Sequence, residues 1–374
     1  MNFRNSLTRR TMIAASLGAG VSLMPRAGRA DGFNPLDPLT SPSISVRNPA
    51  GVFLVAVASA GNRLVAVGEE GVIIYSDDNG QSWTQAQVPV SVNLTCVRFA
   101  TPMQGWAAGH YGVILGTTDG GKTWQTLLNG LQVNQLTLQA AQTATAAPPS
   151  GDESNAPPGL AFAIRRADAF IAQGPAIPFL SILLLGPDKL IVFGAYKMAM
   201  LTTDGGKTWV DWSLHIYDRL SHNIYDAEQI GSNIYLVSEA GLVFCSTDEG
   251  NSFLPLTAAG DVTLFGILGK NEQLITTYGV AAACYYSADE CKTWNSITLP
   301  IQDNLAAGCI LSTGETVIFT ETGSVLGSRD GMNFQLVPNL LLPPVFGALE
   351  VQNGQLVVVG GAGASTIAVD QLKI

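Results

Sequence analysis

A turn spelled six times constrains this chain more than any other feature. TTDGGKTW occupies residues 117–124 and recurs unchanged at residues 202–209. Weaker copies, SDDNGQSW, STDEGNSF, SADECKTW and SRDGMNF, end at Trp83, Phe253, Trp294 and Phe334. The steps between the closing aromatic residues are 41, 85, 44, 41 and 40. Self-similarity at about 40 residues signals a repeat architecture, in which each unit buries its apolar face only against its neighbours. Within each copy the aspartate suits a tight hairpin, because its carboxylate accepts backbone N–H groups further along the turn. Glycine supplies positive φ at low cost. Asp78, Asp119, Asp204, Asp248, Asp289 and Asp330 therefore read as structural, since one active site would not be copied six times.

A second signal lies upstream of each turn. LVAVG, GWAAG, LIVFG, IYLVS, LITTYG, TVIFT and LVVVG make seven short apolar strands, and the seventh has no aspartate turn after it. Each is flanked by another strand on either side, and a fourth starts at the aromatic residue. Four strands per 40 residues is a β-propeller blade. The expectation is an all-β, seven-bladed propeller over residues 48–374. The last blade lacks a fourth strand. SISVR at residues 43–47, within a segment 31–47, is expected to supply it and close the ring, hiding two open sheet edges.

The 85-residue step is then one blade plus an insertion at residues 130–177, between blades 2 and 3. AAPPSGDESNAPP reads as a polar, proline-rich loop. Leu160, Ile164, Ala167 and Ile171 follow at helical spacing, and Gly174-Pro175 ends that helix. Strands alternate in direction within a blade, so the aspartate turns mark one face. The insertion, the other inter-blade links and the turns between second and third strands share the opposite face. That face is expected to carry His110, Tyr111, Tyr196, Lys197, His215, Tyr217, Glu239, Tyr278, Arg165 and Arg166, and these are the candidate partner-binding residues. Exposed aromatic and charged residues on loops point to binding more than core residues do.

The first thirty residues read as a targeting segment: Arg9-Arg10, then an apolar run at 12–23 too short to span a bilayer, then Gly28 and Ala30 before a cleavage point. Residues 8–13 resemble a twin-arginine signal, which implies export and a periplasmic location. That segment holds five arginines and no acid, so the remainder carries 14 basic against 29 acidic residues, a net charge of −15. Such a chain repels phosphate backbones, and nucleic acid is excluded as a partner. Direct membrane insertion after signal removal is not expected. Cys96, Cys245, Cys284 and Cys309 fall in apolar strands, and Cys291 replaces a turn glycine. Neither the five cysteines nor the three histidines show ligand spacing, so no metal and no cofactor are expected.

The DGGKTW turns, the run from GAYK to TTDGGKTW, and a helical insert before PFLSILLLGPDKLIVFGAY together resemble the photosystem II assembly/stability factor family, over roughly residues 50–365. The closer resemblance is to its secreted bacterial relatives. It implies a non-catalytic propeller scaffold whose partner is a membrane or envelope protein complex. In photosynthetic members the partner site resembles an arginine-rich patch, whereas here Arg165-Arg166 is the one arginine pair beyond the signal. The alternative is an Asp-box glycosidase. Sialidase-like chemistry needs an arginine triad, and other glycosidases need two carboxylates facing one cleft. Glu69, Glu70, Glu239 and Glu321 are the candidates for that pair, and their spacing selects no two of them.

Overall fold

The computed structural model describes residues 37–146, 160–352 and 354–374. The targeting segment at 1–30 and the proline-rich stretch at 147–159 lie outside the described residues. Seven antiparallel sheets form the ring, six of four strands and one of three. In blade 1 they are residues Leu54–Ala60, Arg63–Gly68, Ile73–Ser76 and Thr84–Gln85, from the channel outward. The second strand of each blade is almost wholly buried because both its faces pack on neighbouring blades, whereas the innermost strand is partly open to the channel. Near-continuous apolar runs such as LIVFG are the result. Among the described residues no helix is long and apolar enough to cross a membrane.

The aspartate turns form as their residue types require. In five of them the Ser or Thr hydroxyl two residues before the aspartate donates to its Oδ1 at 2.7–2.8 Å. The backbone N–H four residues after donates to the same oxygen at 2.9–3.0 Å. The hydroxyl of that residue donates to Oδ2 at 2.5–2.7 Å. In the shortened sixth turn Asn333 supplies both donors to Asp330. The two residues after the aspartate are left-handed, with φ of 72° and 86° at Gly120 and Gly121, so DGG fits best. Cys291 takes the second of these positions at φ 64° with its thiol buried among the residues between blades 4 and 5, and no disulfide joins any of the five cysteines.

Two expectations follow for the turns. Asp119→Ala should cost about 1–3 kcal/mol by leaving turn N–H groups without an acceptor, read as a lower urea midpoint. The hydroxyl and backbone donors also hold Asp78, Asp204 and Asp289 at about 2, below the ordinary 3.8. A carboxyl lowered in the folded state stabilises fully above its unfolded value and loses that contribution as pH falls through its folded one. Thermal stability should therefore be insensitive to these groups above about pH 4 and drop between about 4 and 2, as circular dichroism melts would report.

Blades are clasped in pairs by a recurring asparagine one residue ahead of an innermost strand. Asn93, Asn223 and Asn304 each accept, through Oδ1, the N–H of Glu70, Tyr196 and Ala281 in the preceding blade, at 2.8–3.0 Å. Ring closure differs from expectation. The seventh sheet has three strands, Val345–Val351, Gln355–Gly360 and Gly363–Ala368, and residues 43–47 form no strand. That segment bonds instead to the outer part of blade 1: Ser43 N–H to Val88 O, Val46 N–H to Gln85 Oε1, and Gln85 Nε2 to Ile44 O. Val46 packs into the apolar seam between blades 1 and 7, and Pro49–Gly51 touches the last strand. Residues 43–47 thus occupy the place of an inter-blade link, and closure comes from face packing.

The insertion holds two helices, α1 (Gly130–Ala146) and α2 (Leu160–Gln173). The second matches the expected one and ends at Gly174, φ 81°. The first was not foreseen. Its start is a reciprocal cap: Asn129 Oδ1 accepts the N–H groups of Leu131 and Gln132, and Gln132 Oε1 accepts the N–H of Asn129. The buried Asn134 donates to the carbonyls of Phe170 and Gly174, so α1 caps the end of α2. Val133 and Phe170 join the core of blades 2 and 3 beneath them.

Candidate docking face

Each turn between second and third strands bonds to the start of an innermost strand, as in His110 N–H to Asn93 O and Ala195 N–H to Pro178 O. These turns and the inter-blade links therefore share one face, and the insertion lies on it. The α1 helix contacts the His110–Gly112 turn and the outer strand Val210–Asp211. Thr137 Oγ1 donates to Asp211 Oδ2 at 2.6 Å. On α2, Arg166 reaches Tyr196 O at 3.3 Å and Ser221 Oγ at 3.0 Å, while Phe170 packs on the Tyr196 ring at 5.8 Å. Burial lowers the affinity of the Arg166 guanidinium for its proton, and Asp211 and Asp218 oppose that shift.

Lys197 is the key to the local shape. Other blades place glycine at its position, Gly71, Gly112 and Gly241, where a Cβ would meet a neighbouring backbone atom at 2.0–2.7 Å. In blade 3 the backbone N–H at this position donates to His222 O in the link to blade 4 at 2.8 Å. Lys197 takes the left-handed position at φ 49° and is buried, with Nζ donating to Ile216 O at 3.0 Å and Asp218 O at 2.8 Å. Burial first, then Arg166, lowers its amine to about 8. Asp218 is buried too. Its carboxylate accepts the N–H groups of Leu220 and His222 at 3.0 and 2.5 Å and meets His222 Nδ1 at 3.1 Å. This cage fixes residues 216–223 so that Arg219 and Leu220 project outward, Leu220 with 77% of its surface exposed.

The expected site residues divide accordingly. Tyr111, Tyr196 and Arg165 are exposed on this face, and Arg166 is half-buried beside Tyr196. Tyr278 is not a loop tip: it lies within a strand, 6% exposed, with its ring packed where Gly266 has no side chain. Lys197 is inside the cage, not on the surface. His110 is half-buried, its Nε2 lacks a partner among the described residues, and burial lowers its basicity. His215 stacks on Trp212 at 3.5 Å and meets Asn251 O, and Tyr217 bonds through its backbone to Phe253, so both belong to the seam between blades 3 and 4. Glu239 is occupied by Asn223. Leu220, Arg219, Ile171 and Leu131 are exposed around the same helices and were missed, because exposure of a link residue has no periodic signal. Among the described residues no group of three or more His, Cys, Asp or Glu is placed to hold a metal.

The sequence pattern of the Photosynthesis system II assembly factor YCF48 family matches residues 79–141 and 178–324. The chain belongs to that family. The matched parts take in blade strands and most of α1; the end of α1, the stretch after it and all of α2 fall outside them. A curated relative, Photosystem II assembly lipoprotein Ycf48 of Synechococcus sp. (strain CC9902), is 29% identical over 115 residues, 29% of this chain and 34% of that one. The chain therefore matches about a third of that relative's length. The solved structure described as YCF48 bound to D1 peptide superposes with a TM-score of 0.61 at 15% identity, covering 87% of this chain and 95% of that one. YCF48 from Cyanidioschyzon merolae gives 0.60 at 13% identity, covering 86% and 97%. At such identities the structural likeness establishes the fold alone.

Proposed function

We propose that this protein is an exported, non-catalytic assembly factor whose link face docks an exposed segment of a membrane or envelope protein. The observation that carries the reading is the presentation of Leu220 and Arg219, beside Tyr196, Arg165 and Ile171, by a loop whose polar groups are satisfied inside the protein. A fixed apolar anchor with aromatic and arginine neighbours costs little ordering on binding and is the kind of residue set that dominates interfaces. With a net charge of −15 on the residues after the targeting segment, the arginines also favour a partner segment carrying acidic groups. Support comes from the family: one relative is described as bound to a D1 peptide and another as a photosystem II assembly lipoprotein. Export rests on Arg9-Arg10 and the apolar run after them, and periplasmic residence follows if that segment is a twin-arginine signal.

The test is co-purification of the protein with detergent-solubilised membrane proteins. Leu220→Asp and Arg219→Glu, both at exposed positions, should each reduce recovery of the specific partner about tenfold or more without altering thermal stability. Equal recovery from wild type and both variants would remove the link face from the account. Arg9→Lys with Arg10→Lys should leave uncleaved precursor in the cytoplasm; normal export would discard the twin-arginine route.

A further inference from the structure

Cys291 departs from the rule of the aspartate turns. In every turn one backbone N–H donates back to the opening Ser or Thr hydroxyl. Its owner is glycine in five turns, Gly80, Gly121, Gly206, Gly250 and Gly331, all at positive φ, and cysteine in the turn of blade 5. Only glycine takes that conformation freely, so the cysteine is held there at a cost. The turn has adjusted around it. In blades 1, 2 and 3 the closing tryptophan donates its indole N–H to the carbonyl of this glycine at 3.0–3.1 Å. In blade 5 the Trp294 indole donates instead to Thr257 O at 3.1 Å. At Gly206 a Cβ would stand 3.3 Å from the Trp209 ring, so a side chain here crowds the usual place of the indole.

The position abuts the preceding blade. Gly121 meets Val65, Gly250 meets Ile191, and Gly80 meets Val357 together with its cross-strand partner Thr366. In blade 4 the corresponding cross-strand pair is Tyr235 and Cys245. A Cβ on Gly80 would lie 3.1 Å from Thr366 Cγ2. One carbon–carbon bond of about 1.5 Å more bounds the β-carbon separation at about 4.6 Å, beside roughly 3.5–4.5 Å in a disulfide. Across the seam between blades 4 and 5 the same two positions hold Cys245 and Cys291. Both pack in one apolar cluster with Tyr235 and Ile275, Cys245 half-buried and Cys291 fully buried. Cys96, Cys284 and Cys309 sit in three other clusters, so this is the one pair of cysteines that shares a seam.

We propose that Cys245 and Cys291 are a thiol pair that closes to an inter-blade disulfide, stapling blade 4 to blade 5, when the protein meets a disulfide oxidant. The thiolate of the half-buried Cys245 attacks one sulfur of the oxidant and expels the other as a thiolate. Cys291 gives up its proton, attacks Cys245 Sγ in the mixed disulfide and expels the second thiolate. The protein loses two electrons and two protons, and the oxidant becomes two thiols. Burial, then Glu290 and Asp248, push the Cys245 thiol up to about 11. Burial, then Cys245, Asp289 and Glu290, raise Cys291 as well. Thiols raised in this way are scarce as thiolates and leave slowly. The bond therefore forms slowly and, once made, resists exchange, which suits a staple and not a rapid switch. The pair lies by an aspartate turn, on the face opposite the docking residues, and is independent of that reading.

The test is incubation of the reduced, folded full chain with oxidised glutathione at about pH 8.5, followed by digestion without reductant and mass spectrometry. A parallel sample in urea below the unfolding midpoint lets the seam open to the oxidant. The expected result, in either sample, is a linked peptide pair containing Cys245 and Cys291 that reductant separates. Oxidised protein should melt about 5 °C above reduced protein. Cys291→Gly restores the residue the other turns use and should fold. It and Cys245→Ser should give no linked pair and melt alike with and without oxidant, whereas Cys284→Ser should keep both the bond and the shift. Absence of the linked pair from both samples, a glutathione adduct that persists at Cys245, a bridge between other cysteines, or oxidised protein melting no higher than reduced protein would overturn the proposal.

Discussion

Asp218→Ala is expected to lower stability by about 2–4 kcal/mol and to abolish partner docking together. The Asp218 carboxylate accepts two backbone N–H groups of its own loop, and its backbone carbonyl accepts from Lys197 Nζ. Without the carboxylate the N–H groups of Leu220 and His222 lose their acceptor, and the buried amine loses the nearby charge that favours its protonated form. Residues 216–223 should then detach, which urea unfolding and hydrogen exchange would register as a lower midpoint and loss of protection confined to that link. Asp218→Asn keeps one acceptor oxygen and should lie between wild type and the alanine variant. Full protection of the link in Asp218→Ala would show that other contacts shape it.

Glu228→Gln should move stability the other way. The folded protein holds the Glu228 carboxyl at about 7, against an ordinary 4.5. Between those values the folded state binds the proton more tightly than the unfolded chain. The carboxyl's contribution is therefore fully present below about pH 4.5 and is lost as pH rises through about 7. Glutamine removes the charge and its burial cost, so the variant should exceed wild type by about 1–3 kcal/mol at pH 8. The difference should vanish near pH 4.5. A pair of denaturant titrations at these two pH values measures it. A variant less stable than wild type at pH 8 would mean that the carboxylate already has a partner within the ring.

The parts of this molecule legible in its sequence are those set by repetition. Six aspartate turns and seven apolar second strands specify blade count, turn chemistry and the alternation of faces, because each copy obeys the same local rules. The α2 helix was legible from Leu160, Ile164, Ala167 and Ile171. The α1 helix was not, although Asn129 and Gln132 spell a cap, because its buried side includes Asn134 and Thr137, polar residues whose partners lie elsewhere in the chain. Lys197 looked like a surface lysine for the same reason: only the path of residues 216–223 gives its amine two carbonyls. Asp226 and Glu228 were not marked out because they alternate along an ordinary strand, and only closure of the ring brings them to one cavity with Arg98 of a distant blade. Residues 43–47 have the composition of a strand, but the neighbouring edge they meet is that of blade 1.

The central claim is that the link face is the docking face. Site-specific photo-crosslinking in intact cells tests it most directly, with benzoylphenylalanine placed at Leu220 on the link face and, in a second variant, at Lys292 in an aspartate turn; both residues are exposed. The account predicts a discrete crosslinked product with a membrane or envelope protein from position 220, lost when Arg219→Glu is added, and no such product from position 292. The same product from position 292, with none from position 220, would contradict it.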